Sequence, residues 1–149
     1  MTVTVATADK LIAELRSICG PEHTITHQHQ LRTYESDGLL QYRATPAAAV
    51  LPGTAEEVRQ VVAACARAEV PWVARGAGSG LSGGALPVED GVLVVMSRMK
   101  RILEIDLENG RICVEPGVTN ANVSVAVGPE FSATLPPIEQ TIWLDGSGG

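Results

Sequence analysis

The sequence predicts a fold of mixed helices and strands organised around a βαβ unit, and three observations carry that expectation. Ala47-Ala48-Ala49-Val50-Leu51 reads as a buried strand. A helical pattern with its own start signal follows, and then the strand-like Pro71-Trp72-Val73-Ala74-Arg75. By the right-handed crossover rule the two strands lie parallel, and the loop leaving the second one sits at the carboxyl end of the unit, where parallel sheets bind their ligands.

The elements follow in order. Thr7 is placed to cap a first helix running to about Cys19, with Leu11, Leu15 and Ile18 on its packing face and Gly20-Pro21 ending it. Residues 22–43 are irregular and polar, and Tyr34-Glu35-Ser36-Asp37-Gly38-Leu39 reads as a turn into the next unit. After the first strand, Pro52-Gly53 turns the chain and Thr54-x-x-Glu57 forms a capping box. Val58, Val61, Val62 and Cys65 mark the apolar face of that helix, which should stop before Val70-Pro71. The continuous apolar run Val92-Leu93-Val94-Val95-Met96 is a further buried strand. Residues 101–106 and 111–115 pair as a hairpin around the Asn109-Gly110 turn. After Pro116-Gly117-Val118, Thr119 or Asn120 caps a short helix carrying Val123, Val125 and Val127.

Composition is that of a soluble globular α/β protein, and 149 residues suffice for one domain with a genuine core or for one piece of a larger enzyme. Eleven Lys and Arg against 17 Asp and Glu give a net charge of −6 without a basic stripe, which argues against nucleic acid as a partner. The first ten residues have neither a basic nor an apolar targeting region, and no apolar run approaches the roughly 20 residues of a membrane span, so the cytoplasm is the default location. Cys19, Cys65 and Cys113 show no zinc or disulfide spacing and read as buried small hydrophobes. His23, His27 and His29 lack a carboxylate partner at ligand spacing, so solvated or structural histidines are favoured over a metal site.

The chemistry points to Arg75-Gly76-Ala77-Gly78-Ser79-Gly80-Leu81-Ser82-Gly83-Gly84, with five glycines in ten residues directly after a strand. Glycine reaches positive φ freely, and successive amides then curl into a nest that attracts an oxyanion such as phosphate. The competing reading is a mobile surface loop without a ligand. Gly78 to Gly83 fits G-x-G-x-x-G, but Pro87 and the Asp90-Gly91 turn leave no helix to receive a dinucleotide pyrophosphate. Gly84 and Ala85 stand where a triphosphatase loop needs Lys and Ser or Thr. A bound diphosphate would therefore be held mainly by loop amides. Pro116-Gly117 reads equally as a plain turn. Arg75 and Arg98 are candidate carboxylate partners, with surface or structural roles favoured for lone arginines.

Taken together, Val50-Leu51-Pro52, the glycine run and Glu115-Pro116-Gly117-Val118 resemble the FAD-binding domain of the vanillyl-alcohol oxidase and p-cresol methylhydroxylase (PCMH-type) flavoprotein family. The 34–39 turn and Leu81-Ser82-Gly83-Gly84-Ala85-Leu86-Pro87 are similar to its FAD-linked 2-hydroxy-acid branch, that of glycolate oxidase D subunits and D-lactate dehydrogenases. The resemblance covers about residues 34–127 and implies an α+β fold, with a βαβ-containing first subdomain plus part of a second. It implies that amides of Gly76, Ala77, Gly78, Ser79 and Gly80 hold the FAD diphosphate. Pro52, Leu81, Ser82, Pro116 and Gly117 match positions lining the flavin or adenine side of the cleft. Ser79 stands where covalently flavinylated relatives often have histidine, so a non-covalent FAD is expected.

The implied activity is oxidation of a small 2-hydroxy acid, glycolate or D-lactate, to the 2-oxo acid. Other oxidase subunits are candidate partners, through which the protein would lie peripherally on the inner membrane. The alternative is an FAD-binding module or incomplete fragment without turnover. The expected division is a helix and lead-in at 1–46, a partial FAD-binding domain at 47–127 and an irregular tail at 128–149. The family continues into a second FAD-binding segment with a Pro-Asp-Pro-Ser-Ser stretch and into a substrate cap, and the tail matches neither. Codons of the form CCC-ATC-GAG-CAG for residues 137–140 would read Pro-Ser-Ser one base on, so the tail is expected to be a truncation or shifted-frame product. The substrate's carboxylate and proton partners belong to that cap, and no catalytic residue is assigned.

Overall fold

The computed structural model describes residues 5–38, 41–78, 80 and 82–128. Helix α1, Val5–Cys19, starts before Thr7, so Thr7 lies inside the helix and is not its cap. Leu11, Leu15 and Cys19 recur at helical spacing and are buried, which is the face that packs. A short 3₁₀ turn, Pro21–His23, leads to strand β1, Thr24–Ile25. The four-residue helix α2, Gln28–Leu31, runs into a second 3₁₀ turn, Arg32–Tyr34.

Strand β2, Ala48–Val50, is wholly buried. Helix α3, Ala55–Arg67, opens on Thr54, whose hydroxyl accepts from the Glu57 amide at 3.1 Å. The Glu57 carboxylate reaches back one residue further than a standard capping box, accepting from the Gly53 amide at 2.8 Å. Strands β3, Trp72–Arg75, and β4, Val92–Val95, follow, and then the hairpin β5, Ile102–Asp106, with β6, Arg111–Val114. Helix α4, Asn120–Val127, is capped by the Thr119 hydroxyl.

The main sheet has the order β1-β2-β4-β3. Strands β2 and β3 are parallel as the crossover rule requires, but they are not neighbours: β4 pairs parallel with both, through Ala49↔Leu93 on one side and Val73↔Leu93 on the other. The reason is burial. Val92, Leu93, Val94 and Val95 are all buried, which suits the centre of a sheet covered on both faces, whereas Trp72 on β3 stays 41% exposed at the edge. Val92 and Val94 join Leu11, Leu15, Val61 and Cys65 beneath α1 and α3. Leu93 and Val95 face the other way, against Leu31, Ala49 and the partly buried Tyr34. Covered on both faces, the parallel strands hold their carboxyl ends in a fixed relation.

Cys19 and Cys65 are buried, and burial pushes each thiol up to about 11. Cys113 is exposed, against expectation: it lies on the two-stranded hairpin, which has too few neighbours to cover both faces.

Candidate functional site

Four chain segments leave their strands at the same end of the molecule. The carbonyl of Leu51, just after β2, accepts from Arg98 Nη1 at 2.8 Å, and Arg98 follows β4. The Met96 amide donates to the Arg75 carbonyl at 2.8 Å, tying the exits of β4 and β3. The Gly117 amide donates to the Met99 carbonyl at 2.8 Å, bringing in the segment after β6. A Cβ on Gly76 would lie 3.1 Å from the Pro116 carbonyl oxygen, so Pro116 rests directly against the start of the glycine run.

The glycine run is held by distinct constraints. Gly78 has φ +71, and the space a Cβ would take is filled by the Arg75 guanidinium, whose Cζ would be 2.5 Å away. Gly80 has neither constraint: its backbone lies outside the left-handed region and nothing stands within 4 Å of a built Cβ. Among the described residues, the amides of Gly76, Ala77, Gly78 and Gly80 donate to no protein acceptor. Ala77, Gly80 and Ser82 are exposed. Gly83 also takes positive φ, at +73, so the run combines unpartnered amides and left-handed backbone, the features from which anion-binding nests are built.

The remaining predicted site residues fall in two groups. Pro52 is fully buried beneath the β2 exit, and Gly117 is buried where a Cβ would be 2.6 Å from the Met99 carbonyl and would also strike that of Met96. Close approach of the Met96 and Met99 carbonyls accounts for the glycine at 117. Ser79 and Leu81 lie outside the described residues, as do Leu39 of the lead-in turn and the tail from residue 129 onward.

Two clamps escaped sequence reasoning. Glu115, 7% exposed, accepts from the Arg101 amide at 2.7 Å and Arg101 Nε at 2.8 Å, which fixes the entry to Pro116-Gly117. The Arg101 hydrogen bonds hold its carboxyl below the usual value of 4.5. Arg75 reaches back to the lead-in, donating from Nη1 to the Ser36 carbonyl at 2.7 Å, with its Cζ 5.9 Å from the centre of the Tyr34 ring. The adjacent Asp37 is buried. Arg98 is likewise structural, bonded to Leu51 and 3.9 Å from the Glu57 carboxylate.

Elsewhere, a hollow of about 410 Å³ lies at the opposite, amino-terminal ends of the strands, lined by Leu11, Val70, Pro71 and Val92 among others. It includes no glycine-run residue. Among the described residues no three His, Cys, Asp or Glu side chains gather as metal ligands.

Comparison with known proteins agrees with the geometry. The family described as FAD binding domain matches residues 46–136. Over 96 residues the chain is 54% identical to the glycolate oxidase subunit GlcD of Escherichia coli K12, covering 64% of this chain and 19% of that protein. It is 34% identical over 114 residues to GlcD of Bacillus subtilis, covering 76% of this chain and 24% of the relative. The chain thus spans about a fifth to a quarter of these relatives. The fold superimposes on p-cresol methylhydroxylase with a TM-score of 0.75 at 29% identity, and on the 4-ethylphenol oxidase of Gulosibacter chungangensis with 0.76 at 26%. Each match covers 84% of this chain and 25% of the other.

Proposed function

Because the chain belongs to the FAD binding domain family, we propose that its glycine run holds the diphosphate of a non-covalent FAD in an oxidoreductase acting on a small 2-hydroxy acid. The observation that carries this reading is the row of unpartnered amides at Gly76, Ala77, Gly78 and Gly80, at the carboxyl end of a parallel sheet. The residues fit the group. Gly80 leaves open space where the diphosphate approaches, and the Arg75 guanidinium stands beside Gly78 in the same run.

Amides of 76–80 bind and orient the diphosphate. Pro52, Leu81, Ser82, Pro116 and Gly117 line the flavin or adenine side of the cleft, by the resemblance of their motifs to those of the family. Ser79 offers no imidazole for a bond to the flavin. When bound, the flavin supplies a two-electron acceptor for the hydride of the substrate carbon. Glycolate or D-lactate is the substrate class, by analogy with the glycolate oxidase subunits and with the probable D-lactate dehydrogenase of Danio rerio, 25% identical over 119 residues.

The domain occupies 47–127, preceded by the lead-in at 1–46 and followed by the tail at 128–149. Partner subunits complete the enzyme, as the word subunit in the relatives' names implies for them. We assign the protein to the cytoplasm, peripheral to the inner membrane through those partners. Among the described residues no helix is long and apolar enough to cross a membrane.

The second reading is an FAD-binding module or incomplete fragment with no turnover of its own. Titration with FAD, followed by glycolate or D-lactate and an artificial electron acceptor, tests both. Weak FAD binding without turnover is the expected result for this chain alone. Turnover above roughly 1 s⁻¹, the low end of ordinary enzymes, would make it an enzyme by itself, and no FAD binding would overturn the site assignment.

A further inference from the structure

Resting on that reading, we propose that Arg75 is the positioning residue of the diphosphate loop, clamping the 34–36 backbone onto it and placing a guanidinium beside its amides. Three contacts converge on one side chain. Nη1 donates to the Ser36 carbonyl at 2.7 Å and lies 3.5 Å from that of Tyr34. The guanidinium lies over the Tyr34 ring at 5.9 Å, within cation–π range. It also occupies the volume that a side chain at Gly78 would need.

A lysine would not reproduce this set. A guanidinium is flat, so it packs against Gly78 and over an aromatic ring while its fork donates to a carbonyl. The bonds that hold Arg75 use carbonyl oxygens, which fix the group without cancelling its charge. A diphosphate on the loop would then meet amide dipoles and a fixed cation together, an attraction that added salt weakens.

The test uses the full chain with Arg75→Met and Arg75→Lys. FAD affinity is read by titration at low and high salt, and amide exchange across 34–38 is read without FAD. Arg75→Met should weaken FAD about tenfold or more, the order expected for a lost charge-assisted contact, and should flatten the salt dependence. Arg75→Lys should restore the salt dependence but only part of the affinity. Both variants should exchange faster at 34–38, with β4 unchanged.

Unaltered FAD affinity in a folded Arg75→Met protein overturns the proposal, as does unaltered exchange at 34–38 in either variant. If Arg75→Met does not fold, Arg75→Lys decides through its exchange. If the parent chain binds no FAD, the cofactor reading and the role of the charge fall together, and exchange alone upholds or overturns the clamp.

Discussion

Gly78 and Gly80 sit two residues apart in the same run, yet substitution by alanine should separate folding from binding. At Gly78 the φ of +71 puts an L-residue in the left-handed region, at a cost of about 1–2 kcal/mol. The added Cβ must also displace the Arg75 guanidinium, forfeiting some of a charge-assisted bond worth about 1.5–3 kcal/mol. Alanine recovers about 0.5–1 kcal/mol through a less flexible unfolded chain. Gly78→Ala should thus disfavour the native loop by about 1–4 kcal/mol, with FAD affinity falling about tenfold or more and a lower melting temperature if the shift spreads to β3. At Gly80 no strain and no contact within 4 Å await a Cβ. Gly80→Ala should leave the melting temperature unchanged or slightly raised while weakening FAD about tenfold, because the methyl group then meets only the ligand. Thermal melts and FAD titrations on the two variants decide the matter. Parent-like FAD affinity in Gly80→Ala would place the diphosphate elsewhere, and parent-like stability and affinity in Gly78→Ala would refute the account of that turn.

Acid precipitation of the FAD-loaded chain should release all of the flavin into the supernatant, and a yellow pellet would show a covalent bond. A thiol reagent should modify one cysteine per native chain, Cys113, and all three after denaturation, since burial raises Cys19 and Cys65 to about 11; two fast-reacting thiols would contradict the packing. The hairpin turn should be acid-sensitive. The Asp106 carboxyl is held below its usual 3.8, first by the Arg111 hydrogen bond and then by Asn109. A depressed carboxyl stabilises the fold fully above its unfolded value and loses that contribution as pH falls through the lower folded value. The Asn109 amide, which donates to Asp106 Oδ1, should therefore titrate by NMR with a midpoint below 3.8, and Asp106→Asn should abolish the step.

Much of this fold was legible where one local signal was sufficient. Helix α3 announced itself through Thr54, Glu57 and an apolar face, and the hairpin through Asn109-Gly110. Strand sense was legible too, because a helical crossover fixes it. Strand order was not, since crossover handedness does not say which later strand inserts between the first two. The clue lay in composition: four consecutive branched aliphatics at 92–95 suit a centre strand, while Trp72 and Arg75 suit an edge. Strand β1 has two residues and α2 has four, too short for periodicity to register. At the candidate site, the glycine run stands out in sequence because its residues are contiguous. The Arg75–Ser36 bond joins positions 39 apart, and no local pattern encodes it.

The glycines near the site have different physical reasons for being glycine, which bears on how such a motif should be read. Gly117 is fixed by the carbonyls of Met96 and Met99, and Gly76 is crowded by that of Pro116, so both answer to close backbone approach within the protein. Gly78 answers to a left-handed turn and to the guanidinium packed against it. Gly80 has nothing within 4 Å of a built Cβ, so no contact within the protein requires glycine there, and the proposed reading assigns it to access by the diphosphate. A pattern search weights all of these positions alike. Physically, the first three shape the backbone around the run and the last leaves it open, so on the proposed reading the strength of the site would depend on contacts that never reach the diphosphate. The Glu115–Arg101 clamp and the Arg75 contacts with the lead-in belong to the same construction, holding the segment after β6 and the loop after β3 in register before any cofactor arrives.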